Sequence, residues 1–372
     1  MVKDKLNVGI IGCGNISQAY FNGLKMFPHA VEVSACADLS PQAADSKARE
    51  NGVRALSVEA LLADSGIDMV INLTIPKAHA EIALRALAAG KHVHSEKPFA
   101  VTREEGQKIL ALAKERKLRV GCAPDTFLGA GLQTSRKLID DGWIGRPVAG
   151  TAFMMGRGPE SWHPNPFFFY ETGGGPMFDM GPYYVTALVH LLGPVKRVAA
   201  ITAVSFKERI AGCKEHFGKK ISVKVPTHLA GTLEFVQGAI VTLVTSFDVH
   251  AHKHPCIQIF GSEGSLNVPD PNSFGGPVAV FRPGSPDWAE LPLANPYHEN
   301  SRGIGAADMA DGIRSGRPHR CSGELAYHVL DVMHSFEESS QSGQIVTLKS
   351  TCAQPAALPL GLRKGSLERD QP

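Results

Sequence analysis

The sequence predicts an α/β protein, with a doubly wound parallel sheet in its N-terminal part and an α+β region after it. From Leu6 to about Asp141, short apolar or β-branched runs alternate with longer segments of helical period. This alternation is typical of a parallel sheet with helices on both faces. After about Pro147, glycine and proline interrupt segments in which apolar and polar residues alternate, which indicates antiparallel strands. The length of 372 residues suits two domains of this kind.

The individual elements follow from these patterns. The strands predicted in the first part are Leu6–Ile11, Val31–Ala37, Met69–Leu73, Lys91–His94 and Arg119–Gly121. The helices predicted there are Ile16–Met26, Pro41–Glu50, Ala78–Ala89, Arg103–Arg116 and a crossover helix over residues 130–141. In the second part we predict strands Val198–Phe206, Thr227–Phe235, Ala239–Phe247 and Cys256–Phe260, then helices Ile304–Arg314 and Gly323–Ser340. We therefore divide the chain into domains 1–123 and 124–352 and a tail, 353–372, expected to be extended or disordered.

Charge and cysteine usage exclude several classes of protein. The 38 Lys and Arg residues nearly balance the 36 Asp and Glu residues, so no large positive field exists to hold a nucleic acid or an anionic membrane. No apolar run reaches the roughly 18 residues of a spanning helix. Seven scattered cysteines without a Cys-x-x-Cys pair indicate free thiols, and the N-terminus lacks a signal-peptide layout. We expect a cytoplasmic protein with a small neutral partner.

The first binding pattern is the segment GCGNIS, which runs from Gly12 to Ser17 between a predicted strand and a predicted helix. Gly12 permits a tight turn, and Gly14 lets a pyrophosphate approach the backbone at the positive end of the helix. Ser17 stands where a third glycine or an alanine is usual. The pattern predicts a dinucleotide-binding Rossmann domain, with Gly12, Gly14, Asn15 and Ile16 around the pyrophosphate.

Asp38 supplies the context that this pattern needs. It ends the second predicted strand, 24 residues beyond Gly14, near the spacing expected for the acid that binds the adenosine ribose hydroxyls. A carboxylate there repels a 2′-phosphate, and residues 39–41 contain no arginine to receive one, so NAD is favoured over NADP. The alternative is that Asp38 only caps the following helix.

A longer pattern carries a resemblance to a known family. It begins with NLTIP at Asn72, continues with His79 and ends with AGKHVHSEKP at Pro98. It resembles the glucose-fructose oxidoreductase and inositol dehydrogenase family (Gfo/Idh/MocA), whose members carry T-x-P…H and then A-G-K-H-V…E-K-P at these places. The resemblance extends from about Leu6 to Ser340. It implies that Thr74, Pro76, His79, Glu96 and Lys97 belong to the cofactor site.

The same resemblance implies that Lys97 is the catalytic lysine. In the family the Glu-Lys-Pro bend, often with a cis peptide before the proline, holds this lysine between nicotinamide and substrate. Because an ammonium beside the positive nicotinamide ring is partly desolvated, we expect the pKa of Lys97 to fall, so that it can relay a proton from the hydroxyl being oxidised.

The glycine-rich segment GGGPMFDMGPYYVT, from Gly173 to Thr186, resembles the second signature of the family, D-x-G-x-H at the start of a helix. Asp179 and Tyr183 are four residues apart and are expected on one side of that helix. Tyr183 replaces the usual histidine, and Thr186 replaces an acid often found three residues later. Some sugar-oxidising members carry this tyrosine, so the base is either Tyr183 or Lys97.

Four other residues are candidate substrate contacts. Trp162 and His163 form either a sugar-stacking wall or an ordinary hydrophobic loop. Asp125 follows the last strand predicted in the first domain, where the family's loop approaches nicotinamide and substrate. Arg302 reaches a substrate hydroxyl or pairs on the surface.

Three alternating histidines were weighed as metal ligands: His250, His252 and His254. No carboxylate completes an evident site, Cys256 is the one cysteine that could join the three histidines, and the family needs no metal for hydride transfer. We predict no metal.

The function implied is an NAD-dependent oxidoreductase that transfers hydride between nicotinamide and a secondary hydroxyl of a sugar, polyol or glycoside. Tyr183, aided by Lys97, takes the hydroxyl proton and Asp179 orients the sugar or the lysine. The alternatives are a redox-neutral enzyme that holds NAD tightly and transiently oxidises a glycoside, and a non-catalytic nucleotide or sugar sensor. The resemblance also implies a large open antiparallel sheet with one face for oligomer contact, hence a homodimer or homotetramer.

Overall fold

The computed structural model describes residues 5–369, and its N-terminal part is a six-stranded parallel sheet. The strands are β1 Leu6–Ile11, β2 Val31–Ala37, β3 Arg54–Leu56, β4 Met69–Asn72, β5 His92–Ser95 and β6 Val120–Cys122. They pair in the order β3-β2-β1-β4-β5-β6, and every pairing is parallel. The order reverses between β1 and β4, and ligands of such sheets bind outside the carboxyl ends of the strands at this point. The predicted Rossmann architecture is confirmed.

The helices between these strands are α1 Ser17–Leu24, α2 Pro41–Asn51, α3 Val58–Ala63, α4 Pro76–Ala88 and α5 Arg103–Arg116. Most elements of this part begin and end within two residues of the predicted bounds. The sequence patterns missed β3 and α3, because three and six residues are too short to show a period.

The second part contains a nine-stranded mixed sheet and the remaining helices. The helices are α6 Ala130–Asp140, α7 Gly175–Asp179, α8 Gly181–Leu192, α9 Ile304–Ser315 and α10 Gly323–Ser342. The strands are β7 Pro147–Met155, β8 Val195–Ala203, β9 Glu208–Ile210, β10 Lys220–Ser222, β11 His228–Phe235, β12 Ile240–Ser246, β13 Ile257–Gly261, β14 Ser265–Val268, β15 Val278–Phe281, β16 Ala289–Leu291 and β17 Val346–Thr347.

The order of the large sheet is β16-β15-β14-β13-β7-β12-β11-β8-β17, while β9 and β10 pair separately. Only β7 and β12 run parallel within the large sheet, so the prediction of a mostly antiparallel sheet is confirmed. Helix α10 packs on β8 and α8 through a buried face that was predicted from the helical period: Leu325, Val329, Val332 and Phe336.

The chain returns to the N-terminal domain after the large sheet. Helix α9 packs against α1 and β6. The tail over 353–369 has no helix or strand, but it is packed rather than disordered, since Leu358 and Leu367 are buried. Arg320 holds it by donating from Nε to the Ala356 carbonyl oxygen at 3.2 Å. Residues 370–372 of the predicted tail lie outside the described residues. No helix among residues 5–369 is long and apolar enough to cross a membrane.

Candidate active site

The turn after β1 has the features of a phosphate-binding loop. Gly12 has a φ of 104°, which favours glycine, and a Cβ there would lie 2.6 Å from the Leu73 carbonyl carbon. At Gly14 the corresponding position has no protein atom within 4 Å, so the space beside it is open. Ser17 fits the third position because its hydroxyl donates to the Gly14 carbonyl oxygen at 2.7 Å. The turn is closed against the protein at Gly12 and open outward at Gly14.

Asn15 and Ile16 lie between this turn and α1. Ile16 occupies the N-cap position, where its side chain makes no capping hydrogen bond, and Asn15 is exposed. The Ser17 amide donates to the Gly14 carbonyl oxygen at 3.1 Å, whereas no side chain caps this end of the helix, where the positive end of the helix dipole lies. This arrangement fits an anionic pyrophosphate.

The carboxylate of Asp38 is fixed beside the same turn. Oδ2 accepts a hydrogen bond from the Cys13 amide and Oδ1 accepts one from the Ser40 amide, both at 2.8 Å. Ser40 is the N-cap of α2, and its hydroxyl accepts from the Ala43 amide at 3.3 Å. The alternative that Asp38 only caps α2 is therefore wrong. Leu39 follows with 96% of its surface exposed, so an apolar shelf adjoins the carboxylate.

His79 ties together the loops after β4 and β5. Its Nδ1 lies 2.7 Å from the Pro98 carbonyl oxygen and its Nε2 lies 2.9 Å from the Thr74 carbonyl oxygen. Burial lowers the pKa of His79, against the effect of these backbone contacts. The Thr74 hydroxyl donates to Asn72 Oδ1 at 2.7 Å, and Pro76 begins α4. His79 is only 1% exposed, so its imidazole positions the loops and is not open to a ligand.

Glu96 holds the base of the loop that carries Lys97. Its Oε1 accepts from the Tyr20 hydroxyl at 2.8 Å and its Oε2 accepts from the Lys97 amide at 3.0 Å. The peptide between Lys97 and Pro98 is cis. Glu96 is buried, so its carboxylate fixes the conformation of this loop and, like the imidazole of His79, is not exposed to a ligand.

Lys97 meets Asp179 across the two domains. Its Nζ donates to Asp179 Oδ1 at 2.9 Å and to the Asp179 carbonyl oxygen at 2.7 Å. Asp179 ends α7, whereas Tyr183 lies in α8, and Met180 separates the helices. Pro182 lies in the first turn of α8, as its place in the sequence favours, and Asp179 precedes that helix rather than belonging to it. The two side chains nevertheless converge on Lys97.

Tyr183 lies between two cations. Lys97 Nζ is 5.3 Å from the centroid of its ring, and Arg302 Cζ is 5.7 Å from it. Burial raises the pKa of Tyr183, and the charges of Lys97 and Arg302 oppose that effect. The phenol is 5% exposed. Such a group becomes a base only if neighbouring positive charge stabilises the phenolate.

Within the protein itself, the pKa of Lys97 lies above its ordinary value, and the fall expected beside an oxidised nicotinamide stays a prediction. Burial lowers this pKa, but the nearby charges of Asp179, Tyr183 and Glu96 outweigh burial and hold the pKa of Lys97 above its ordinary value. The expectation considered desolvation and the cofactor's charge but not a carboxylate 2.9 Å from the ammonium. Lys97 is therefore a firmly charged group in the described chain.

The structure changes the interpretation of both Asp125 and Arg302. Asp125 is fully buried, and its Oδ2 accepts from the amides of Gly303 at 2.7 Å and Gly305 at 3.2 Å. Asp125 thus fixes the start of α9, and the expected substrate contact is wrong. Arg302 is not a surface residue, because its guanidinium reaches Tyr183 and donates from Nη2 to Asn272 Oδ1 at 3.0 Å.

The aromatic loop between β7 and α7 is exposed at its tip. Trp162 is 68% exposed and contacts the His163 ring edge-on, with the centroids 5.4 Å apart. His163 in turn contacts the Phe168 ring at 5.5 Å. The rings of Trp162, His163 and Phe168 therefore contact one another in turn, with those of Trp162 and Phe168 exposed.

The three alternating histidines lie in an irregular exposed segment after β12. The rings of His252 and His254 are 6.2 Å apart, and His254 contacts Phe153 at 4.5 Å. Across residues 5–369, no group of three or more His, Cys, Asp or Glu side chains is arranged to hold a metal ion.

Three residues of the site were missed by sequence reasoning: Tyr20, Asn72 and Asn272. Asn72 had a usable signal, since it ends β4 at the ligand-binding edge of the sheet, where polar side chains organise loops. Tyr20 looks like an ordinary core position of α1, and Asn272 lies in a loop, so neither carried a signal.

Comparison with known proteins agrees with this geometry. Residues 6–123 match the model of an oxidoreductase family with an NAD-binding Rossmann fold, and residues 132–267 match the GFO/IDH/MocA C-terminal domain. Together they define a two-domain oxidoreductase with an NAD-binding domain. The chain belongs to the Gfo/Idh/MocA family, as the resemblance predicted.

Individual relatives are distant. An uncharacterised oxidoreductase of Schizosaccharomyces pombe is 29% identical, over 52% of this chain and 54% of its own, so the chain spans about half of that relative. Levoglucosan dehydrogenase of Pseudarthrobacter phenanthrenivorans is 25% identical over 70% and 73% of the two chains. D-glucoside 3-dehydrogenase of Escherichia coli is 29% identical over 70% and 75%. The solved complex of levoglucosan dehydrogenase with NADH has the same fold, with a TM-score of 0.80, 23% identity and coverage of 93% and 100%.

Proposed function

We propose that this protein is an NAD-dependent dehydrogenase that oxidises a secondary hydroxyl of a sugar, polyol or glycoside. One observation carries the proposal: Lys97, on a loop of the cofactor domain, lies 2.9 Å from Asp179 and 5.3 Å from the ring of Tyr183, both on the second domain. Charged and phenolic groups that converge beside a dinucleotide site are suited to moving a hydroxyl proton. The carbohydrate names of two relatives support the substrate class.

The turn from Gly12 to Ser17 and the neighbouring Asp38, together called the cofactor edge, fit NAD. The amides of Gly14, Asn15 and Ile16 would hold the pyrophosphate, while those of Gly12 and Cys13 fix the turn, and Asp38 would accept the ribose hydroxyls. Its carboxylate disfavours the 2′-phosphate of NADP, and residues 39–41 offer no arginine. When bound, the nicotinamide accepts a hydride from the substrate carbon.

The chain's own residues manage the proton. Tyr183 in its phenolate form accepts the proton of the substrate hydroxyl. Lys97 stays charged because Asp179 holds the pKa of its ammonium high, so Lys97 stabilises the phenolate and orients the hydroxyl rather than acting as the base. Asp179 fixes Lys97 through two hydrogen bonds. Of the two candidate bases, we therefore assign Tyr183.

The proposal is tested with a panel of polyols, aldoses and glycosides, scored by the appearance of NADH. For any active substrate, Tyr183→Phe should lower kcat by roughly 10²- to 10⁴-fold with little change in NAD affinity. Tyr327→Phe is a matched control, because the Tyr327 hydroxyl lies away from the site. There it accepts a hydrogen bond from Gln107 Nε2 at a distance of 2.8 Å. This variant should keep full activity.

Each other outcome has a defined meaning. Full activity in Tyr183→Phe would contradict the assignment of the base. Product that accumulates without net NADH would favour the redox-neutral alternative, and sugar binding without turnover would favour the sensor.

We also propose a cytoplasmic homodimer or homotetramer that associates through the open face of the large sheet. Ile201 on β8 is 76% exposed and Ile240 on β12 is 51% exposed, and an apolar sheet face is normally covered. All seven cysteines are free, which suits a reducing compartment. Light scattering that shows a monomer at working concentration would contradict the association.

A further inference from the structure

Arg302 has an unsatisfied group inside the candidate active site. Its Nη2 donates to Asn272 Oδ1 at 3.0 Å, which fixes the guanidinium against Tyr183. Its Nη1 is buried and has no hydrogen-bond partner among the described residues. A buried N–H group without an acceptor costs free energy, so it points to a partner in another state of the site.

The two carboxylates near Arg302 each accept hydrogen bonds from other donors, although Asp125 Oδ1 is buried without one. Glu96 accepts from Tyr20 and from the Lys97 amide, and Asp125 accepts from the amides that begin α9. These are the carboxylates whose charges act on Arg302, together with the Tyr20 and Tyr183 phenols. The Tyr20 hydroxyl donates to Glu96. Asp125 is held in place by the amides that begin α9, whereas the guanidinium of Arg302 lies over the Tyr183 ring, with Cζ 5.7 Å from the ring centroid. The Tyr183 oxygen is therefore the acceptor that the position of the guanidinium favours.

We propose that Arg302 is a positioning residue that donates a hydrogen bond from Nη1 to the Tyr183 oxygen once the phenol has released its proton to solvent. The phenolate then takes the proton of the substrate hydroxyl. This inference rests on the proposed function, in which Tyr183 is the base.

Two cations are needed because the first is largely compensated. Lys97 is paired with Asp179 at 2.9 Å, so part of its charge is cancelled at Tyr183. Glu96, which also faces Tyr183, opposes ionisation of the phenol, and burial acts in the same direction. Arg302 is hydrogen-bonded to the neutral amide of Asn272 rather than to a carboxylate, so its charge adds to that of Lys97 at the phenol.

A measurement of the Tyr183 pKa that does not depend on turnover tests the inference. Protein labelled with ¹³C at tyrosine Cζ is titrated by NMR, and the Tyr183 resonance is identified by its absence in Tyr183→Phe. In Arg302→Met the resonance should titrate roughly one to two pH units higher than in the parent chain, as expected for loss of a charge about 6 Å away. Arg302→Lys should lie between the two.

The controls separate this effect from a general loss of charge. Arg363→Met removes an exposed arginine and should leave the titration unchanged. Asn272→Ala removes the partner that fixes Arg302 and should produce part of the shift in a chain that keeps its guanidinium. An unchanged Tyr183 titration in both Arg302→Met and Asn272→Ala would overturn the proposal.

With an active substrate, the pH dependence of kcat/KM provides a second test of the role of Arg302. The kcat/KM for oxidation requires the phenolate, so it rises as the pH passes the pKa of Tyr183, and Arg302→Met should move this limb to higher pH by the NMR shift. A raised KM with an unmoved limb would show a substrate contact instead and would also overturn the inference. If no substrate is turned over, the proposed function fails, while the NMR titration still decides the role of Arg302.

Discussion

The cofactor edge of this protein and its catalytic cluster are built in different ways. The catalytic cluster comprises Lys97, Asp179, Tyr183 and Arg302. The edge consists of backbone amides and one carboxylate from neighbouring strands, with Asp38 only 25 residues from the Cys13 amide that it binds. The cluster consists of side chains from distant segments: Lys97 is separated by 82 residues from Asp179, and the strands β8 to β16 lie between Asp179 and Arg302 in the chain. Local conformation thus determines the first site, while packing of the two domains determines the second.

This difference implies that cofactor binding and proton transfer are separable by mutation. The largest effect is expected for Lys97→Ala, which removes the charge that stabilises the Tyr183 phenolate. We expect turnover to fall by about 10³-fold or more while NAD affinity, measured by calorimetry, stays within a few-fold.

Lys77→Ala is the matched control for this prediction. Lys77 lies at the same edge of the sheet and forms an ion pair with Glu171 at 2.9 Å. Because this pair is exposed, it contributes little to the stability of the fold. Turnover by Lys77→Ala should stay near that of the parent chain. Substantial turnover by Lys97→Ala would show that the cluster does not carry the chemistry.

The two glycines of the turn should sharpen the comparison within the cofactor edge. Gly14→Ala introduces a Cβ into open space, so stability should change by less than about 1 kcal/mol while NAD binding weakens by roughly 10-fold. Gly12→Ala meets the Leu73 backbone at 2.6 Å and should destabilise the fold itself by about 2 kcal/mol or more. Urea unfolding and NAD titration distinguish the two, and equal losses of stability would contradict the assigned geometry.

A smaller effect is expected from Asp38→Asn, which removes the charge that disfavours a 2′-phosphate. The ratio of kcat/KM for NAD to that for NADP should fall by about 10-fold, since the amide still accepts a hydrogen bond but no longer repels the phosphate. Asp45→Asn, an exposed change on α2, is the control and should leave the ratio as it is. An unaltered ratio in Asp38→Asn would place the determinant of cofactor choice elsewhere.

Sequence reasoning succeeded where consecutive residues form the feature. The turn from Gly12 to Ser17 was predicted because glycine conformations and the start of a helix are local properties. Five of the six strands of the parallel sheet were predicted for the same reason, whereas β3, with three residues, is too short to show a period. Asp179 and Tyr183 were brought to Lys97 only through the family resemblance, and the break between their helices at Met180 was not foreseen.

What sequence reasoning missed concerns electrostatics and long-range contacts. The pKa of Lys97 lies above its ordinary value in the protein itself because Asp179 reaches across the domains, a contact that the sequence did not predict. Asp125 was placed at the substrate, but the start of α9, 178 residues further along the chain, encloses its carboxylate. No pattern within a strand or helix reports which charge will arrive from so distant a segment.

By itself, then, the sequence determined the fold class, the dinucleotide turn with its acidic partner, and the identity of the lysine. Only the tertiary structure decided that Lys97 remains charged, that Asp125 supports a helix, and that Arg302 lies beside Tyr183 with an open donor. The reason is physical: backbone turns follow from the φ and ψ preferences of adjacent residues, whereas the charge and reactivity of a buried side chain depend on every group packed around it.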